Sequence, residues 1–322
     1  MHEQDNKHHH HHHDHPPDHR HEGVGGHTHD MLDYSVLDSE RGIRAVKWSF
    51  AGLMITALLQ AFVVVLSGSI ALLADTIHNF GDAATAIPLG VAFMLAKSKP
   101  SKMFTYGYGR VEDLAGIIIV LIILSSALVA GYESISRLMH PQKIGHLYAV
   151  AAASIIGFLG NEAVAIFRIK VGKEIGSAAL IADGYHARVD GWTSLAVLFG
   201  ALGVWLGYPL ADPVIGLVIT AAILVIVWQA GKQIFIRILD GVDPVIIDEI
   251  EKTAINVEGV AEVSGIKARW IGHKLYTQFK ITVRPTLSLA DGDEIIRKIN
   301  RQLKSDVPHL SEAVINILPG NF

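Results

Sequence analysis

The chain has no cysteine in its 322 residues. Disulfides, thiolate metal centres and cysteine nucleophiles are therefore excluded, and any transition-metal site must be built from His, Asp or Glu. Charge is scarce as well. Asp, Glu, Lys and Arg supply 18% of the residues and the formal net charge is −4, so there is no basic surface of the kind a nucleic acid needs. No cleavable signal peptide is expected, because the first residues are polar and the first apolar run begins after residue 44.

What is present in excess is hydrocarbon. Half of the residues are hydrophobic and the mean hydropathy is +0.36, too apolar for an ordinary soluble domain. The apolar residues fall in runs at about 45–66, 70–96, 113–137, 145–167, 178–206 and 213–236. Each is near the ~20 residues that a helix needs to cross a bilayer. Lys and Arg set the orientation. Arg41, Arg44 and Lys47 precede the first run, and Lys97, Lys99, Lys102 and Arg110 lie between the second and third. Arg168, Lys170 and Lys173 lie between the fourth and fifth, and Lys232 and Arg237 end the sixth. The opposite loops hold only Arg137 and Lys143. The expected fold is a membrane all-α bundle of six transmembrane helices over residues 41–240, with both termini cytoplasmic.

Two segments flank this bundle. Residues 1–40 read as a disordered, His-rich cytoplasmic tail that cannot bury a core. Residues 241–322 read as a cytoplasmic α+β domain in the order αββαβ, ferredoxin- or metallochaperone-like: an amphipathic helix, two alternating strands, a helix with an acidic start and basic end, and a last strand.

Inside the apolar runs, "DTIHNFGD" in span two and "DGYHARVD" in span five repeat one pattern, D-x-x-H-x-x-x-D. A His and an Asp four residues on share one helix face. Two such pairs, His78 with Asp82 and His186 with Asp190, offer two imidazoles and two carboxylates, a donor set that suits tetrahedral zinc. Counting ~1.5 Å per residue puts both pairs near mid-membrane, roughly 12–18 Å from a span end. Ionisable groups at that depth mark an ion pathway rather than packing. Four protein donors leave no open position for catalysis, so a carried ion fits better than a metalloenzyme, and the chain reads as a transporter. Asp75 and Asp183 stand one turn from the histidines. They are expected to line the two approaches to the site, or else to cap helices or orient a ligand histidine. Glu162 and Arg188 fall within the spans and are expected to pair with neighbours.

These features resemble the cation diffusion facilitator family of divalent-metal/proton antiporters, in its zinc-type form. The resemblance runs from about residue 41 to the end and is carried by "SGSIALLADTIHNFGD", "FTYGYGRVED", "SAALIADGYHARVDGWTSLAV" and the αββαβ domain. It implies a homodimer in the lipid bilayer that exports a divalent metal by alternating access, in exchange for protons. The transport site falls on His78, Asp82, His186 and Asp190. Zn²⁺ is the implied cargo, with Co²⁺, Ni²⁺ and Cd²⁺ as alternatives, and no cofactor is expected. Two other classes stay open, a passive, channel-like metal conductor and a non-transporting membrane metal sensor or scaffold, and a bacterial inner membrane is the expected location. The resemblance also implies an ion pair between Arg110 and Asp240. The family's further histidine sites are not matched, since Phe104 and Tyr108 and, in the last strand, Asn316 stand at those places. His273 and His309 read as isolated surface histidines.

The tail carries His8, His9, His10, His11, His12, His13, His15, His19, His21, His27 and His29. Such imidazoles gather borderline metals with little selectivity. An engineered tag is the other reading of the six-His run, although the histidines continue beyond it.

Overall fold

The computed structural model describes residues 29–67, 76, 79–83, 86–139, 147–208, 210–285 and 287–320, with side chains in the first helix from residue 37 onward. The apolar runs form α1 (His29–Ser67), α2 (Ala86–Ala96), α3 (Arg110–Met139), α4 (Leu147–Glu174), α5 (Ala178–Trp205) and α6 (Ala211–Ile238). Residues 79–83 are helical ahead of α2. Among the described residues five helices are long and apolar enough to cross a membrane: Leu37–Ser67, Asn79–Ala96, Arg110–Met139, Leu147–Glu174 and Ala211–Ile238. Helix α5 has comparable length, 28 residues, but carries Asp183, Arg188 and Asp190 and is not among the five.

Two boundaries differ from the sequence reading. Helix α1 begins at His29, so residues 29–40, assigned above to the tail, are helical. No Gly or Pro interrupts 30–41, and Ser39 is fully buried. Arg168, counted above as a loop cation, lies within α4 and is fully buried. The helix runs on to Glu174 because nothing before Gly176, which has φ +70°, breaks it. Ser177 then caps α5 by accepting from Leu180 N at 3.0 Å, so α4 and α5 form a tight hairpin.

The C-terminal part consists of α7 (Pro244–Ile255), β1 (Val260–Ile271), β2 (Lys274–Val283), α8 (Leu289–Asp306) and β3 (Leu310–Pro319). Its sheet has the order β1-β2-β3, antiparallel between β1 and β2 and parallel between β2 and β3. Alternation along β2 turns Leu275, Phe279 and Ile281 into a core with Ile250 and Ala254 of α7 and Ile295, Ile299 and Leu303 of α8. Helix α8 is started by a capping box between Ser288 and Asp291, whose carboxyl is held below its usual range by the hydrogen bonds from Ser288.

The β1–β2 turn docks against the ends of the long helices. Gly272 N donates to Asp113 Oδ2 at 3.2 Å, and Arg237 Nη1 donates to Gly176 O at 2.8 Å and Gly272 O at 3.2 Å. His273, expected at the surface, is 2% exposed: its Nδ1 lies 2.7 Å from Glu112 Oε2 and its Nε2 3.2 Å from Ser39 Oγ. His309 is not a free surface side chain either. It packs 6.1 Å from the Trp270 ring, and burial pushes its imidazole below the ordinary range. Arg110 bonds Asp240 and also donates to Arg237 O at 3.1 Å.

Candidate metal centre

Helix geometry and small residues assemble the buried polar cluster. Ala83, next to Asp82, packs with Leu53, Val164, Ala165 and Ala187, and Ala187 follows His186. This apolar contact brings the residue-79–83 segment against α5, with Asp82 facing His186. Asp190 follows His186 by four residues and lies on the same face of α5. His186 Nε2 stands 3.7 Å from Asp82 Oδ1, and His186 Nδ1 stands 3.7 Å from Asp190 Oδ2. The three offer ligand atoms that all lie within 4.8 Å of one another, and all three residues are buried.

Those separations bear on what fits between them. Donors that hold an ion at ~2.0–2.1 Å in a tetrahedron stand about 3.3 Å apart. The two 3.7 Å separations use different ring nitrogens of His186, only one of which can bind a given ion; with one donor atom from each residue the three lie within 4.8 Å of one another. Two carboxylates at 7–8% exposure are costly in a low-dielectric interior unless a cation or protons compensate them. Chemically, the cluster offers imidazole and carboxylate donors of the kind a divalent cation takes. His78 and Asp75, the remaining members of the first repeated pattern, lie outside the described residues, as do tail histidines 8–27. His29 is the first residue of α1.

Other sequence-singled residues are placed as follows. Asp183 is fully buried and forms an ion pair with Arg168 of α4 at 2.9 Å. Glu162 and Arg188 pair with each other across α4 and α5, at 2.8 and 3.2 Å. Polar groups not singled out in the sequence complete the neighbourhood. Gln60 is 1% exposed, accepts from Asn79 Nδ2 at 2.6 Å and donates to Ala153 O at 3.2 Å. A Cβ on Gly157 would lie 2.7 Å from Ser194 Oγ and 2.8 Å from Gln60 Nε2, so the absence of a side chain there lets α1, α4 and α5 converge. Asn161 is 3% exposed and its Cβ lies 3.4 Å from a Cβ built on Gly191, beside Asp190. A lone amide in an apolar run is the one sequence signal that these residues give.

Comparison with known proteins fits this geometry. Residues 46–236 match the cation efflux transmembrane domain, and residues 242–320 match the cytoplasmic domain of cation efflux proteins. A probable cation efflux system protein of Mycobacterium tuberculosis, Rv2025c, is 51% identical over 91% of this chain and 89% of its own length. The magnetosome protein MamB of Paramagnetospirillum magneticum is 23% identical over 85% of this chain and 93% of its own. Metal tolerance protein 2 of Oryza sativa is 25% identical over 92% of this chain and 83% of its own. Among solved structures, a variant MamM CTD in a nickel form matches 24% of this chain and 100% of its own, at 18% identity and a TM-score of 0.24.

Proposed function

This chain belongs to the cation diffusion facilitator family of cation efflux transporters, and we propose that it exports Zn²⁺ in exchange for protons. The observation that carries the reading is the buried cluster of Asp82, His186 and Asp190, which offers one donor atom from each residue within 4.8 Å of the others. His78, four residues before Asp82, supplies the fourth donor in this reading, which completes a tetrahedral set. Co²⁺, Ni²⁺ and Cd²⁺ suit the same donors and are the alternative cargoes.

In the proposed cycle the site opens to the cytoplasm and binds metal through neutral imidazole and ionised carboxylates. Rocking of the helices moves access to the other side. Protons arriving there compete for the same donors, because a ligand must be deprotonated to hold metal. The inward proton gradient then drives metal out. Six spans are proposed, α5 being the remaining one. Two of its three charges are compensated in pairs, Asp183 by Arg168 and Arg188 by Glu162. The Lys and Arg distribution supports cytoplasmic termini, and a bacterial inner membrane is proposed as the location. The match of residues 242–320 to the cytoplasmic dimerisation domain of cation efflux proteins supports a homodimer. The histidine-rich segment before α1 would raise the local metal concentration on the cytoplasmic side. Asp75 is proposed to line the outer approach.

The test is metal resistance in a metal-sensitive bacterial host. Asp82→Ala, His186→Ala and Asp190→Ala should each abolish the resistance conferred by the wild-type chain at equal expression. Wild-type resistance from all three would point instead to a sensor or scaffold and end the transport reading.

A further inference from the structure

Helices α4 and α5 approach through glycines. A Cβ on Gly184 would meet Ile169 N at 3.0 Å and Arg168 Cβ at 3.1 Å, and one on Gly172 would meet Ile181 N at 3.0 Å. This backbone contact already fastens the two helices. Between them it seals a full charge pair. Arg168 and Asp183 both have 0% side-chain exposure, and Arg168 Nη1 lies 2.9 Å from Asp183 Oδ2 and donates to Asp183 O at 3.3 Å. Arg168 Nε and Nη2 are buried with no hydrogen-bond partner among the described residues. As a fastener this is a poor device, because a buried ion pair contributes little net stability against apolar groups of the same shape. Its position offers another role: Asp183 is three residues from His186 on the same helix, the spacing of side-chain neighbours.

We propose that Arg168 is a positioning residue that sets the donor count, and with it the metal preference, of the transport site. It occupies Asp183, so that the site presents Asp82 and Asp190 as its carboxylates and their two negative charges match one divalent ion. Released, Asp183 would add a third carboxylate. The site would become richer in oxygen and more negative, which favours hard cations such as Mn²⁺ over Zn²⁺. The proposal rests on the reading of Asp82, His186 and Asp190 as the cargo site.

The test compares initial rates of Zn²⁺ and Mn²⁺ transport by the full-length protein in liposomes, with KM and turnover resolved for each ion. Arg168→Gln should raise the Mn²⁺/Zn²⁺ ratio of kcat/KM by about tenfold or more. Arg168→Lys, which keeps the charge, should stay near the wild-type ratio. Arg168→Gln combined with Asp183→Asn should return to that ratio, since the third carboxylate is gone. Asp183→Asn alone, which unmasks the guanidinium beside the site, should raise KM about tenfold for both ions. A folded Arg168→Gln protein with an unchanged ratio would overturn the proposal. If Arg168→Gln does not fold, an unchanged KM in Asp183→Asn overturns it instead. Asp190→Ala in the same assay separates the two levels: wild-type transport by that variant would mean that the site itself is misassigned. Loss there, together with an unchanged ratio in Arg168→Gln, would overturn the role of Arg168 alone.

Discussion

Two ion pairs lie at the junction between the cytoplasmic part and the long helices, and exposure decides which of them matters. Arg110 and Asp240 have side chains 38% and 49% exposed, and a pair so hydrated contributes about 0–1 kcal/mol. Glu112 and His273 are 1% and 2% exposed, so removing one leaves a buried polar or charged group without its partner, at about 2–4 kcal/mol. Thermal unfolding in detergent should therefore show a small change for Asp240→Asn and a drop of several degrees for His273→Ala. Equal shifts would mean that the buried contact is not the fastener. The difference in legibility between these residues is physical. His186 and Asp190 were readable because a spacing of four is fixed by the helix itself. The contact of His273 with Glu112 spans 161 residues and depends on where a turn of one domain meets the helix ends of another. No local pattern in "IGHK" records that, and burial of His273 came only with the fold.

The β1–β2 turn is the element that makes the junction, and Gly272 is its tightest point. It has φ +61°, and a Cβ there would lie 2.7 Å from Gly109 O and 2.8 Å from Glu112 Oε2. Gly265 has the same φ of +61° with open space around it. Alanine at Gly265 should therefore cost only the backbone strain, about 1 kcal/mol. Alanine at Gly272 adds a collision with backbone and should cost roughly 2–4 kcal/mol. It should also speed protease cleavage around residues 239–243, where the two parts join; melting and limited proteolysis of the two variants check this. Equal behaviour would deny the turn its docking role. At this scale the sequence was legible where periodicity rules. The spans over 113–137 and 213–236 sit within α3 and α6, and the alternation in "KLYTQFKITV" is that of β2. It was less legible at ends. Helices α1 and α4 run beyond the apolar stretches, since hydropathy reports what a bilayer covers while helix length is set by breakers and tertiary contacts.

The whole molecule joins a helical bundle with a buried cation-sized cluster to an α+β domain clamped on the ends of the same helices. Residues at 82, 186 and 190 meet because two apolar helix faces pack, and among the described residues Asp183 and Arg188 are met by Arg168 and Glu162 on the adjacent helix. The central claim is that the cluster carries a divalent metal against protons. It is tested most directly with purified protein in liposomes loaded with a pH dye, exposed in turn to Zn²⁺, Co²⁺, Ni²⁺, Cd²⁺ and Mn²⁺. The account predicts metal uptake accompanied by proton release from the lumen, largest for Zn²⁺, and loss of both signals together in His186→Ala. Metal flux without proton movement, or both signals persisting in His186→Ala at the wild-type rate, would contradict it.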